Sequence, residues 1–320
     1  MIRILIILFC FFIATQALSV QIATGTYVGD SSNPRGITGV GFQPDVVIVF
    51  SDVNQRKVWK SNTMGVYTKV LSQSSYDNDI ITSLDADGFT ITADILINWD
   101  TKNYYYIAFR DDGNNDIHIG TYVGDGNDDR NITAPMGFTP DFILVGADEL
   151  VTSYWKTKMN TVEATIQFIA GAFEATDHVQ AFIANGFQVG TSSNVNHSGR
   201  NYHYFCLKEI SGLIKFGSYT GDSNDNRNIT GVGFQPDEVW IKGDHAGIPV
   251  AEKNAALDDV DKACWTDDWA PQANIIQDII ADGFQLGDEN TINWNGNVYL
   301  YVAFKAGQSQ KQGRITVIIN

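Results

Sequence analysis

One short paragraph of sequence is written three times in this chain. Gly29–Asp45 reads GDSSNPRGITGVGFQPD, Gly124–Asp141 reads GDGNDDRNITAPMGFTPD, and Gly221–Asp237 reads GDSNDNRNITGVGFQPD. The closing Pro-Asp pairs end at Asp45, Asp141 and Asp237, so the period is 96 residues and then 96 again. Solenoid repeats stack units of about 20–50 residues, and this period is too long for them. It is long enough for each unit to own a small hydrophobic core. A chain built from one module in triplicate reads as a binding or scaffolding protein before it reads as an enzyme with one composite active site.

The period can be followed through the rest of each unit. Alternating segments open it, at Ile22–Tyr27, Ile117–Tyr122 and Ile214–Tyr219, each ending in Gly-Thr-Tyr or Gly-Ser-Tyr. Alternation with β-branched and aromatic residues marks a strand. More continuous apolar runs follow each Pro-Asp, at Val46–Phe50, Phe142–Val145 and Glu238–Ile241, as central strands have. Gly-Phe pairs come next, at Gly88-Phe89, Gly186-Phe187 and Gly283-Phe284. Aromatic alternations close each unit, at Tyr104–Phe109, Tyr202–Leu207 and Tyr299–Phe304, and Arg110, Lys208 or Lys305 follows. Many short strands with Gly, Asn and Asp turns predict an all-β chain of three tandem β-sandwich domains, jelly-roll-like in kind. Helical patterning is weak, with short candidates only at Asn254–Val260 and Asn274–Ala281.

The ends depart from the repeat. Met1-Ile2-Arg3 followed by an apolar run to Ala14 and small residues at Ala17 and Ser19 predicts a secretory signal peptide. The run is too short to span a bilayer, so no integral membrane segment is expected after its removal. The expected divisions are a signal peptide over 1–19, repeats over 20–112, 113–210 and 211–307, and a linker with a C-terminal strand over 308–320. That strand, Arg314–Asn320, could pair within the chain or with a neighbouring molecule's sheet. The linkers between repeats are short, which predicts restrained packing, side by side or end to end.

The net charge of −16 argues against nucleic acid and against an anionic membrane surface. Cys206 and Cys264 occupy non-equivalent positions in different repeats, and no zinc-binding spacing is present. Cys206 aligns with Ala108 and Ala303 and reads as a small core residue.

The motif set resembles an uncharacterised family of repeat modules from secreted bacterial and tail-fibre-like phage proteins. The pieces that carry the resemblance are Gly217–Lys242, Trp59–Met64 or Trp155–Met159, Asp282–Gly287 and Ile292–Ala306. It extends over nearly all of residues 22–307, in three copies. It implies an extracellular β-rich module and carries no activity to transfer. The first repeat departs at Asn33-Pro34, where the others have an acidic residue. The third has Ala251-Glu252 where the others have a Trp-Lys pair.

Three sets of residues are candidates for function. Exposed aromatic rings can stack on sugars, which points to Trp59, Trp99, Trp155, Trp265, Trp269 and Trp294. Trp240, inside an apolar strand, reads as core. Trp99 and Trp294 stand at equivalent places after Asn98 and Asn293, where the second repeat has His197 after Asn196. Asp125, Asn127 and Asp129, with Asp222, Asn224 and Asn226, have the alternate-oxygen spacing of some calcium loops. The glycine and the twelfth-position glutamate of an EF-hand are missing. A turn in which Asp30, Asp125 and Asp222 meet Arg35, Arg130 and Arg227 is the stronger reading, so no cofactor is expected, with calcium as the alternative. Asn131, Asn196 and Asn228 lie in glycosylation sequons.

Catalysis is poorly supported. Asp267 and Asp268 are adjacent and without counterparts, and the five histidines follow no catalytic signature. The chain therefore reads as a non-enzymatic secreted structural or surface protein, an array of modules or a subunit of an extracellular fibre or assembly. Its expected partners are copies of itself or other surface proteins. The alternative is a carbohydrate-binding adhesin with one weak site per repeat, its partner a polysaccharide. A glycan-active hydrolase comes last.

Overall fold

The computed structural model describes residues 20–72, 76–78, 80–111, 113, 115–148, 151–160, 163–169, 177–243, 248–257, 261–267 and 269–307. The predicted signal peptide, the C-terminal strand and Asp268 lie outside them. The first repeat holds β1 (Gln21–Val28), β2 (Arg35–Thr38), β3 (Val46–Ser51), β4 (Val58–Ser61), β5 (Tyr67–Val70), β6 (Tyr76–Asn78), β7 (Ile81–Asp85), β8 (Gly88–Ile91), α1 (Ile95–Asn98) and β9 (Asn103–Arg110). The second holds β10 (Ile117–Val123), β11 (Arg130–Thr133), β12 (Phe142–Ala147), β13 (Tyr154–Thr157), β14 (Ile166–Gln167), β15 (Val179–Ile183), β16 (Gly186–Val189), α2 (Ser193–Asn196) and β17 (Asn201–Leu207). The third holds β18 (Ile214–Thr220), β19 (Arg227–Thr230), β20 (Glu238–Gly243), β21 (Ala251–Asn254), β22 (Lys262–Trp265), β23 (Gln272–Ala273), β24 (Ile276–Ile280), β25 (Gly283–Leu286), α3 (Asn290–Asn293) and β26 (Val298–Phe304).

Each repeat is an unequal antiparallel sandwich. The large sheets run β1-β9-β3-β4-β5-β6, β10-β17-β12-β13-β14 and β18-β26-β20-β21-β22-β23. The small sheets run β2-β8-β7, β11-β16-β15 and β19-β25-β24. The Gly-Phe pairs begin the middle strands of the small sheets. A Cβ on Gly88, Gly186 or Gly283 would run into the carbonyl of Ile37, Ile132 or Ile229, so the close approach of two strands requires glycine there. The helical expectation at Asn274–Ala281 fails, and of the one at Asn254–Val260 residues 258–260 lie outside the described residues. Asn254 ends strand β21 and Ile276–Ile280 is strand β24. Among the described residues the helices are three single turns that no periodicity could reveal.

Both faces of the central strands of each large sheet are buried. In β9, Tyr104, Tyr106 and Ala108 face the sandwich's own core with Phe89, Val47 and Val49. Tyr105, Ile107 and Phe109 face the other way, into a second core that all three repeats share. Leu144, Trp155 and Phe205 enter it from the second repeat, and Trp240, Val302 and Phe304 from the third. Phe109 contacts both neighbours, with ring centroids 4.8 Å from Phe205 and 5.4 Å from Phe304. The second and third repeats meet through Phe142, stacked 5.9 Å from Phe216.

The seams repeat one pair of positions. Strand pairing sets Ile48 opposite Trp59, Leu144 opposite Trp155 and Trp240 opposite Glu252, so Trp59, Trp155 and Glu252 are equivalent. Lys57, Ser153 and Val250 are equivalent two residues earlier. Trp59 Nε1 donates to Ser153 Oγ at 3.0 Å, joining repeats one and two. Trp155 and Val250 both lie in the shared core, and Glu252 lies within electrostatic reach of Lys57, joining three to one. Further ties are Thr266 Oγ1 to Phe168 O at 2.7 Å and Ser153 N to Leu71 O at 3.3 Å. A position pair that recurs at three successive seams and returns to the first describes a closed ring with pseudo-three-fold symmetry. A Cβ on Gly307 would touch Val20 O, so the end of the third repeat lies beside the start of the first.

The structure thus places the repeats side by side around a common core, not end to end. Cys206 is buried in the second sandwich and Cys264 in the shared core, both as free thiols. A shared core couples the repeats energetically. Leu144→Ala should cost about 2–5 kcal/mol, as buried Leu→Ala changes do. Calorimetry should show one cooperative unfolding transition, lowered as a whole by this change. Three separate transitions, only one of them shifted, would contradict the shared core.

Candidate functional site

The triplicated paragraph folds into a fastening that fixes the tip of each sandwich. A buried asparagine is its centre. Asn98 Oδ1 accepts from Asp30 N at 3.0 Å and Arg35 Nη1 at 2.9 Å, and Nδ2 donates to Ser32 O at 2.9 Å. Asn196 repeats this with Asp125 N at 3.0 Å, Arg130 Nη1 at 3.1 Å and Asn127 O at 2.8 Å. Asn293 does so with Asp222 N at 3.1 Å, Arg227 Nη1 at 3.2 Å and Asn224 O at 2.9 Å. Each arginine also pairs with its own loop's aspartate and lies over a tyrosine, Tyr27, Tyr122 or Tyr219, at 5.2, 5.8 and 5.5 Å. Those tyrosines stack on Tyr104, Tyr202 and Tyr299 at 5.1, 5.0 and 5.1 Å. The second ring of each pair accepts from the backbone N of Trp99, His197 or Trp294 at 2.9 Å. The opening glycines have a positional role as well. A Cβ on Gly29, Gly124 or Gly221 would collide with the carbonyl oxygen of Trp99, His197 or Trp294.

The remaining motif residues are spent in the same way. Asp87 accepts from Gly41 N at 2.6 Å and Gly39 N at 3.1 Å, and Asp282 accepts from Gly233 N and Gly231 N at 2.6 and 3.0 Å. The Pro-Asp carboxylates Asp45, Asp141 and Asp237 cap Asp111 N, Glu209 N and Ala306 N at 2.9, 2.7 and 2.8 Å. Lysines at one repeated position bury their ammonium groups on loop carbonyls. Lys60 Nζ donates to Gly65 O at 2.6 Å, Lys156 Nζ to Ala164 O at 2.9 Å and Lys253 Nζ to Lys262 O at 2.7 Å. The third repeat therefore keeps the lysine of the Trp-Lys pair and replaces only the tryptophan, by Glu252. Lys60 and Lys156 border equivalent open grooves of about 360 and 490 Å³ beside Asp45 and Asp141.

This geometry corrects several expectations. Asp125 accepts from Asn127 N at 2.9 Å and pairs with Arg130 at 3.2 Å, and Asp222 does the same with Asn224 N at 3.0 Å and Arg227 at 3.2 Å. Their oxygens are committed to the loop, and Asn127 and Asn224 turn their carbonyls to the buried asparagines. Asp129 and Asn226 are turn residues with positive φ, of 54° and 57°. The loops are turns, not cation cradles. Asn196 is fully buried with both amide atoms engaged, so it is no glycan acceptor, whereas Asn131 and Asn228 are exposed on β11 and β19. Trp59, Trp155 and Trp265 are completely buried and have no ring face to offer a ligand. Trp269 is half-buried, edge-on to Trp265 with centroids 5.5 Å apart. Only Trp99 and Trp294 of the six candidates are exposed, at 43% and 52%.

Two polar clusters at the seams escaped the sequence. His203 Nε2 lies 2.5 Å from Asp148 Oδ1, and its Nδ1 lies 2.8 Å from Thr63 Oγ1 across the first seam. Thr63 Oγ1 is also 2.8 Å from Ser61 Oγ. Acid, imidazole and hydroxyl are strung in order here, with the imidazole buried where the other repeats place Tyr105 and Leu300. Spacing could not show this, since Thr63 comes from the first repeat and Asp148 and His203, 55 residues apart, from the second. The second cluster is a carboxyl pair, Glu238 and Glu252, buried in the shared core. Trp240 Nε1 donates to Glu238 at 3.0 Å and Asn254 Nδ2 at 2.9 Å. A charge on Glu252 disfavours ionisation of Glu238 as well. Burial pushes both carboxyls up, Glu252 to about 7, against the pull of Lys57.

Fold and tips define a class: a single-chain ring of three β-sandwiches with a common core and three like-built tips. The chain belongs to the family described as Domain of unknown function (DUF7483), whose profile matches residues 19–306 and so spans all three repeats. No curated protein matches the chain.

The carboxyl pair predicts a pH dependence. Both groups have folded values raised above the ordinary carboxylate range, so the stability they lend is complete below about 4.5 and is lost as pH rises toward about 7. Lys57, depressed by burial, acts in the opposite sense on the alkaline side. Stability measured by denaturant unfolding should fall between pH 4.5 and 7, and Glu252→Gln should flatten that slope. A slope unchanged by the substitution would show that other groups set it.

Proposed function

We propose that the chain is a non-enzymatic structural or surface protein of the cell exterior, working as a rigid subunit in an extracellular assembly or attachment layer. The observation that carries this is the use of the triplicated motif. Its Arg, Asp and Asn side chains at the tips are bonded to one another, and Asp45 and Asp141, which line the open grooves, are spent on capping Asp111 N and Glu209 N. The fused core gives a body that keeps its shape under load, which suits a structural subunit. The signal-like leader supports export. Among the described residues no helix is long and apolar enough to cross a membrane.

A second reading, attachment to carbohydrate, is favoured by the exposure of Trp99 and Trp294 at equivalent tips. Glycan hydrolysis draws less support. Such enzymes hold two carboxyls around an accessible bond, and the facing carboxyls Glu238 and Glu252 are sealed in the core.

Fractionation of the producing cells tests the proposal. A mature chain beginning near residue 20 should be found outside the cytoplasm, in particles or on the surface. Full-length chain retained in the cytoplasm, its leader uncleaved, would overturn it.

A further inference from the structure

Among the described residues, seven large hydrophobic side chains are exposed, and six of them sit on the tips. Val28, Ile95 and Trp99 belong to the first tip, Val123 to the second, and Trp294 and Val298 to the third, each 43–57% exposed. The seventh, Val66, lies on the turn between β4 and β5. Scattered surface hydrophobics need no explanation, but concentration at one repeated place does. Equivalent points in a closed ring stand at the same height along its axis. The three tips therefore form one rim at a common height.

We propose that this rim is a binding site for a neutral polysaccharide, with Trp99 and Trp294 as stacking platforms for single sugar rings. The inference rests on the surface-protein reading and names the partner. The occupant follows from size, charge and neighbours. Each platform is one ring wide and is separated from the next by polar loops, so the rim lacks the continuous face of about 800 Å² per partner that a stable protein interface uses. The loops beside it carry Asp30, Asp100, Asp125 and Asp222, in a chain of net charge −16, which disfavours anionic lipids and polyanionic glycans. Beside each ring stand short polar residues suited to hydroxyl groups: Asp100 and Thr101 at Trp99, Asn295 and Asn297 at Trp294. Lys102 Nζ lies 5.5 Å from the centre of the Trp99 ring and helps to hold it.

The tips are also pre-organised. Each platform's backbone N is bonded to a stacked tyrosine, and its carbonyl packs against a glycine. Binding there orders little that is not already ordered, which lowers its entropic cost. Two platforms on one rigid body bind one polymer with avidity. His197 at the second tip makes a weaker third platform.

The test uses the mature chain with suspensions of cellulose, chitin and starch and an array of soluble neutral oligosaccharides. Retention on at least one of them is expected. Trp99→Ala and Trp294→Ala should each weaken it about 10-fold, and the double variant about 100-fold or more, as linked weak sites do. His197→Trp should strengthen it. Unchanged melting temperatures would show that the variants are folded, since both rings are exposed. Binding to none of these polysaccharides would overturn the proposal, as would equal retention of the double variant. Tip-dependent binding to phosphatidylcholine vesicles alone, or a self-association lost in the double variant, would reassign the rim to lipid or to a second copy. Export and surface location are read separately by fractionation, so they stand or fall independently of these results.

Discussion

Burial of the central strands of the three large sheets on both faces is the constraint on which the rest of the structure depends. A sandwich normally hides one face of each sheet and wets the other. Here the outer face of every large sheet is covered by the other two repeats. Strand β3 is buried at all six positions, and so are β12 and β20. The two faces have divided their chemistry. Tyr104 and Tyr106 turn inward, where their hydroxyls find partners or reach the sandwich edge, and Ile107 and Phe109 turn to the shared core. The repeats cannot be read as beads on a string, because separating any one exposes an apolar sheet face.

Within that frame the three repeats have diverged where they touch and stayed alike where they do not. The tips keep the same asparagine, arginine and tyrosine pair in all three copies. The first seam has a Trp–Ser hydrogen bond at these positions, the second has the apolar Trp155 and Val250, and the third has Glu252 and Lys57, the lysine bonded to Ser51 and Val53 of its own repeat. Divergence at the seams also gives the ring a unique order, since each interface fits only one neighbour.

Much of the architecture was legible in the sequence. The triplicated motif gave the module count, and the alternating Tyr-Tyr-Tyr-Ile-Ala-Phe segment identified a strand at Tyr104–Phe109. The shared core was not legible. A strand apolar at every position is the mark of burial on both faces, but it does not say whether the second cover is a loop, a helix or another repeat. The single-turn helices are too short for periodicity, and Asn274–Ala281 imitated a helix while forming a strand with a bulge between Ile276 and Asp278. Of the tryptophans, Trp59 and Trp155 could not be told from surface platforms by composition alone, because their alternation in β4 and β13 leaves either face open to them. Trp99 and Trp294 were distinguishable by place, each following an asparagine at a turn. The sequon at Asn196 failed for the same reason that Asn98 and Asn293 matter: the position is the buried anchor of the tip.

Small-angle X-ray scattering of the mature chain in dilute solution tests the central claim most directly. Three repeats closed around one core make a compact body, and a compact chain of this length has a radius of gyration of about 19 Å. The account predicts a value near that, with a single-peaked distance distribution. A radius approaching about 30 Å with a long-tailed distribution, as three separate compact domains in a row would give, would contradict it.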